Sequence, residues 1–168
     1  MTNSKQLRKL ITLDIKEFSN MIPLSGSILG LDLGDKRIGL AICNDTRSIS
    51  TSLKTLDRGK LLNDISLIKN IILDNNITSI VVGRPVNLDG KPGKKSQSIR
   101  RLSEEINKSL NLPLLLWDER FSTHAVEKIL ISELNLSRKK RQKIVDSSAA
   151  CWILDGAIKT LKNIIVDK

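Results

Sequence analysis

Asp32 narrows the folds open to this chain more than any other residue. It sits in the apolar run Ile28–Leu33, which the polar turn Gly34-Asp35-Lys36-Arg37 joins to a second run, Ile38–Cys43. Two apolar runs around a short Gly-containing connection predict a β-hairpin. An ionised carboxylate inside such a strand is strongly disfavoured unless a cation compensates it. Alternation puts Gly30 and Gly34 on the face of Asp32, leaving room for something bulky to approach the carboxylate. A metal ion carrying a phosphate suits that description. The rest of the chain is therefore read for further acids that could meet Asp32.

With 168 residues, 40% of them hydrophobic, the chain is long enough for one domain with a buried core. Lys and Arg number 28 against 18 Asp and Glu, a formal charge of +10. Such a surplus points to a polyanion, usually nucleic acid, with a merely basic surface as the plain alternative. Aromatic residues are limited to Phe18, Trp117, Phe121 and Trp152, which argues against a base-stacking platform. Cys43 and Cys151 lie in apolar segments without metal-ligand spacing and read as small buried hydrophobes in a reducing compartment. No apolar run nears the ~20 residues that span a bilayer, and the N-terminus lacks the pattern of a signal peptide. A cytoplasmic protein with no membrane partner is expected.

Residues 1–26 read as an N-terminal extension and 27–168 as one domain. In the extension Leu7, Leu10, Leu13 or Asp14, and Phe18 have loose helical spacing, broken by Pro23, Ser25 and Gly26. Beyond the hairpin, Ser48–Leu56 alternates as a third strand. Leu61, Ile65, Ile68 and Ile72 then mark a helix that Asn75-Asn76 ends. Thr78–Val82 is a buried strand stopped by Gly83-Arg84-Pro85. Residues 84–98 form a polar loop, and Ile99, Leu102, Ile106 and Leu110 mark a second helix. Pro113 opens the strand Leu114–Trp117, which runs into Asp118-Glu119-Arg120-Phe121. Ser122 or Thr123 caps a third helix bearing Val126, Ile129, Leu130 and Leu134. Asn135–Lys143 reads as a second basic loop, and a last helix runs from about Gln142 to about Asn163. This order predicts an α/β fold. A single mixed five-stranded sheet starts antiparallel, continues through β-α-β crossovers and carries helices on both faces.

Two more acids occur where acids are not expected. Glu119 lies at the carboxyl end of an apolar strand, where open α/β sheets place ligands, while Asp118 should face the other way. Asp146 shares a helical stripe with Ala150, Ile153 and Ala157, among the small residues Ser147, Ser148 and Ala149. Asp32, Glu119 and Asp146 together suit a hard divalent cation such as Mg²⁺ or Mn²⁺. Each acid also has an ordinary reading. Glu119 could pair with Arg120 or a lysine, and Asp146 could cap the last helix near its start.

The ordered motifs Asp32-Leu33-Gly34 with Arg37-Ile38-Gly39, Val82-Gly83-Arg84-Pro85 through Asp89-Gly90, Asp118 to Thr123, and Val145 to Ala150 resemble the YqgF/RuvX family. That family comprises pre-16S rRNA nucleases and Holliday-junction-resolvase-like proteins, and the resemblance spans about Ile28 to Leu161. It implies an RNase H-like fold and a cytoplasmic bacterial protein that matures the 5′ end of 16S ribosomal RNA. It also implies Asp32, Glu119 and Asp146 as the catalytic, metal-binding acids. Arg84 departs from the apolar residue usual there, and the fourth carboxylate of related resolvases has no counterpart in the motifs.

The leading expectation is a two-metal endonuclease using Mg²⁺ or Mn²⁺, with Asp32 bridging the ions and Glu119 and Asp146 each holding one. Lys36, Arg37, Arg84, Lys91, Lys94, Lys95, Arg120, Arg138, Lys139, Lys140 and Arg141 are the expected nucleic-acid contacts, although Arg120 could instead pair with Asp118. The expected substrate is precursor 16S rRNA, free or within ribosomal assembly intermediates, and the expected form is a monomer or weak dimer. A branched-DNA resolvase and a non-catalytic RNA-binding assembly or transcription factor are the alternatives. A sugar-kinase-type phosphotransferase shares the Asp-x-Gly hairpin but needs two such domains. Ser122, Thr123 and His124 are adjacent at a helix start, which suits capping better than a Ser–His centre.

Overall fold

The computed structural model describes residues 10–87, 89–121 and 137–166; of Phe121, residues 138–148 and Val166 only the backbone is described. The described strands are β1 (Ile11–Thr12), β2 (Ser27–Leu33), β3 (Arg37–Cys43), β4 (Ser50–Asp57), β5 (Ile77–Arg84) and β6 (Leu114–Asp118). The helices are α1 (Ile15–Met21), α2 (Leu61–Asp74), α3 (Lys94–Leu110) and α4 (Arg138–Val166), with a single 3₁₀ turn at Glu119–Phe121. The third helix expected after Ser122 or Thr123 lies outside the described residues.

One mixed sheet runs in the order β1-β6-β5-β2-β3-β4. The hairpin β2–β3 and the pair β3–β4 are antiparallel, and β2, β5, β6 and β1 pair in parallel. The described residues form six strands where five were expected. The sixth, β1, is two residues long, too short for alternation to reveal, and its partner is distant in sequence. Ile11 aligns with Leu114, and Leu10 O accepts from Leu114 N–H at 2.7 Å.

Helices cover both faces. On one, Leu29, Leu31, Leu33, Val82 and Leu116 pack with Ile65 and Ile68 of α2 and Ile99 and Ile106 of α3. On the other, Ile28, Ala41, Val81, Leu115 and Trp117 pack with Phe18 of α1 and Ala150, Ile153, Leu154 and Ala157 of α4. Strand alternation divides the core this way. Asp14 caps α1 by accepting from Lys16 N–H at 2.8 Å, and Phe18 is fully buried. Arg47 holds the following segment through Pro23 O at 2.7 Å and Gly26 O at 3.0 Å. Burial raises the Cys43 thiol and pushes Cys151 up to about 11, so both stay protonated near neutral pH.

Two helices start earlier than the apolar stripes suggest. α3 begins at Lys94, so Lys94 and Lys95 stand in its first turn and not in a loop running to residue 98. α4 begins at Arg138, so Arg138, Lys139, Lys140 and Arg141 are helical where a basic loop was expected. Lys, Arg and Gln are good helix formers, and neither segment contains a breaker once Gly93 is passed. Apolar periodicity cannot see a helix turn that has no apolar residue.

Phe18 tests whether the N-terminal segment belongs to the core. Phe18→Ala should cost about 3–5 kcal/mol in denaturant unfolding, the range for a buried aromatic side chain. A loss under about 1 kcal/mol would show that α1 contributes little to the folded state.

Candidate active site

Because β2, β5 and β6 are parallel, their carboxyl ends lie along one edge of the sheet, the edge where open α/β sheets bind ligands. Asp32 is the penultimate residue of β2 and is half-buried. On one side it pairs with Gly39 of β3. On the other, Leu31 pairs with Val82, so the next step along the parallel strands sets Gly83 beside Asp32. Residues aligned on adjacent strands share a face. Both neighbours of Asp32 on that face therefore lack side chains.

This face is the one α4 crosses. A Cβ added to Gly30 would stand 2.9 Å from both Ala150 O and Leu154 Cβ, so the helix backbone rests directly on β2. A Cβ on Gly83 would collide with Ile153 Cδ1 and stand 2.8 Å from Glu119 Oε1. Glu119 opens the turn after β6, two residues beyond Trp117, the partner of Gly83. Its carboxylate reaches back over β5 into the space that Gly83 leaves. Asp32 stands on the other side of that same glycine. Asp32 and Glu119 are thus brought to one face from strands two places apart, roughly 10 Å between backbones.

Asp146 lies in α4 one turn, about 6 Å, before Ala150. The stripe assigned to it is inward-facing where it is described, since Ala150, Ile153 and Ala157 are buried. The Asp146 side chain lies outside the described residues. Among those residues, no three His, Cys, Asp or Glu side chains gather within reach of one ion.

The residues nevertheless fit a divalent cation. Carboxylate oxygens are the hard donors that Mg²⁺ and Mn²⁺ take, Gly83 lets the Glu119 carboxylate come in on the Asp32 face, and Gly39 lines the depression beside Asp32. In front of Asp32 is an open depression of about 290 Å³, bounded by Gly34, Gly39 and Thr55 with Asp35, Lys36 and Arg37. Two hydrogen bonds brace its turn, since Arg58 donates from its N–H to Lys36 O at 2.9 Å and from Nη1 to Gly34 O at 3.1 Å.

Asp118 turns to the opposite face, as alternation requires. It aligns with Arg84, whose Nη1 is 3.5 Å from Ser96 Oγ of α3. Arg120 Nη2 donates to Asp118 Oδ2 at 2.7 Å, forming an ion pair. Burial by itself would raise the Asp118 carboxyl, but hydrogen bonds from the Arg120 side chain and backbone, with the charges of Arg120 and Arg84, hold it below the usual carboxylate range.

Of the expected nucleic-acid contacts, Lys36, Arg37, Lys91, Lys94, Lys95 and Arg120 are exposed, and Arg84 is half-buried. All stand at or just beyond the carboxyl ends of β2, β5 and β6. For Arg138, Lys139, Lys140 and Arg141 the structure gives only a helical backbone. The sequence reading overlooked Gly39 and Gly83 as the neighbours of Asp32. Gly39 was accessible from the hairpin register, because the turn Gly34 to Arg37 sets it opposite Asp32. Gly83 depended on the parallel pairing of β2 with β5, for which no local signal exists.

This architecture, with its acids at the carboxyl edge of a mixed sheet, is the RNase H-like fold. The Thermus thermophilus RuvC structure solved with a Holliday junction substrate superimposes with a TM-score of 0.52, covering 83% of this chain and 96% of that one at 9% identity. The chain belongs to the RuvX family, described as Holliday junction resolvase, whose profile matches residues 26–160. A Pelagibacter ubique protein named "Putative pre-16S rRNA nuclease" is 47% identical over 135 residues, 80% of this chain and 89% of its own length. A Caulobacter vibrioides protein of the same name is 37% identical over 153 residues, covering 90% of this chain and 98% of its own.

A carboxyl with a lowered folded pKa adds stability above its unfolded pKa and loses it as pH falls through the folded value. Wild type should therefore exceed Asp118→Asn in stability at pH 7, and the gap should narrow below about pH 4. Urea unfolding at pH 7 and pH 3 measures this. A gap of constant size would separate the Asp118 charge from stability.

Proposed function

We propose that this protein is a divalent-metal-dependent endonuclease that matures the 5′ end of precursor 16S ribosomal RNA. The observation that carries this reading is the half-buried Asp32, flanked by Gly39 and Gly83, with the Glu119 carboxylate against Gly83. Two carboxylates on one face at the carboxyl edge of a sheet, one of them bordering an open depression, suit the binding of a hard cation. Membership of the RuvX family and the shared name of the curated relatives supply the substrate class.

Asp32 and Glu119 would hold the cation from the sheet, and Asp146 from α4. Bound Mg²⁺ or Mn²⁺, singly or as a pair, supplies stabilisation to the attacking and leaving oxygens of a phosphodiester. The chain's own residues position and bind. Lys36 and Arg37, exposed beside the Asp32 depression, hold the phosphate backbone, and Lys91, Lys94 and Lys95 extend that basic edge past β5. No side-chain nucleophile is needed. Branched DNA is the second reading, favoured by the family's description and the RuvC likeness.

The test compares cleavage of a 5′-extended 16S precursor and a four-way DNA junction, with Mg²⁺ or Mn²⁺, by wild type, Asp32→Asn and Asp146→Asn. Metal-dependent RNA cutting that falls at least 100-fold in both variants is expected. Preference for the junction would move the substrate to DNA. Equal binding without cutting in all three would leave a non-catalytic RNA-binding factor. Lys36→Ala with Arg37→Ala should weaken RNA binding and reduce the salt slope by about 0.7 per charge removed. An unchanged slope would take the hairpin turn out of the interface.

A further inference from the structure

Glu119 stands just past the end of β6, at the start of a single 3₁₀ turn. Groups that bind or react must stay within about 0.5 Å of their working place, so the backbone that carries them has to be fixed. The residues on either side of Glu119 fix the turn that carries it. Asp118 Oδ1 accepts from the Arg120 backbone N–H at 3.0 Å. The same carboxylate accepts from the Arg120 guanidinium, Nε to Oδ1 and Oδ2 at 3.1 Å each and Nη2 to Oδ2 at 2.7 Å. Residues 118 and 120 thus grip each other by backbone and side chain, and Glu119 is the middle of the closed loop.

The pair is anchored outside the turn as well. Asp118 aligns with Arg84 across β5 and β6, on the face that α3 covers. Arg120 Nη1 is 3.5 Å from where a Gly90 Cβ would be, and Gly90 has φ +81°, so a side chain there would be both strained and in the way. Asp89, next to Gly90, adds a second negative charge near the guanidinium. Asp32 and Glu119 face α4, whereas Asp118 and its guanidinium partner face α3. The sheet lies between them.

We infer that the Asp118–Arg120 pair is a positioning device that aims Glu119 over Gly83, and that Arg120 serves the site through Asp118 and not as a phosphate contact. Only the use made of Glu119 once aimed rests on the nuclease reading; the aiming itself does not. Outer groups that orient a ligating side chain are commonly worth 10- to 100-fold in metal affinity or activity.

The experiment uses the full chain with Asp118→Ala, Asp118→Asn, Arg120→Gln and the double Asp118→Asn/Arg120→Gln. Single-turnover cleavage at saturating precursor RNA should fall about 10- to 100-fold in Asp118→Ala and Arg120→Gln. It should fall less in Asp118→Asn, which keeps an acceptor for the backbone N–H. RNA affinity should stay within about twofold with its salt slope unchanged, and the double variant should be no worse than Arg120→Gln, as coupled groups behave. If Asp118→Ala fails to fold, the other three carry the test. An affinity loss with a salt slope lower by about 0.7 in Arg120→Gln, and no rate effect of either Asp118 variant, would make Arg120 a phosphate contact and overturn the inference. Unchanged rates throughout would overturn it too. Two readouts hold even for a protein that cuts nothing. Amide exchange at Arg120 should quicken at least tenfold in Asp118→Ala, and Mn²⁺ affinity should drop in both Asp118→Ala and Glu119→Gln. Failure of cutting alone sinks the nuclease reading; failure of these two sinks the positioning role.

Discussion

The close seating of α4 on the sheet is the contact on which the rest of this protein depends. Gly30 and Gly83 withhold the Cβ atoms that would push the helix away, and Ala150 and Ala157 bring no more than a methyl from the helix side. Close packing of this kind leaves no slack, because a single methyl in a filled interface must displace something. One glycine serves twice. Gly83 accepts Ile153 from above and the Glu119 carboxylate from the side, so the seating of the helix and the placing of the acid are one packing problem.

The sheet solves a second conflict, that of a charge among apolar strands. Leu31 and Leu33 bury themselves against α2 and α3, which commits Asp32 between them to the α4 face. A slip of one residue in register would drive the carboxylate into the larger core. The hairpin pairing from Leu29–Ile42 to Leu33–Ile38 prevents that slip. The apolar face of β2 therefore dictates where the acid points, and the glycines on the neighbouring strands make the place tolerable.

The far side of the sheet is more than a support. Arg84, Asp118 and Arg120 form a charged cluster at its carboxyl edge, one strand residue away from the α4 face. Alternation lets β6 send Asp118 to one face and Glu119 to the other, so the Asp118–Arg120 ion pair and the Glu119 carboxylate occupy adjacent positions without meeting. The N-terminal segment completes the opposite end, with β1 on the edge of β6 and Phe18 under α4. At 9% identity to RuvC the fold is retained although few individual side chains are, as expected when layer packing and alternation carry the architecture.

Much of this was legible locally. The hairpin, the stripes of α2 and the second half of α3, and the apolar strands β5 and β6 follow from periods of 2 and 3.6, which depend only on neighbours in sequence. Asp32 stood out because an acid in an apolar strand breaks its own pattern, and Glu119 because it ends one. What the chain alone could not decide depends on partners far apart along it. β1 exists because Leu114 is there to pair with it, Gly83 matters because β5 lies beside β2, and Arg138 is helical with no apolar residue to announce the turn. The pairing of Arg120 is of the same kind: the sequence allowed Asp118 as one partner, and the tertiary structure shows that ion pair. Local periodicity determines which faces are apolar. Only folding determines which polar groups those faces bring together, because their separations are set by the packing of layers and not by the spacing of residues.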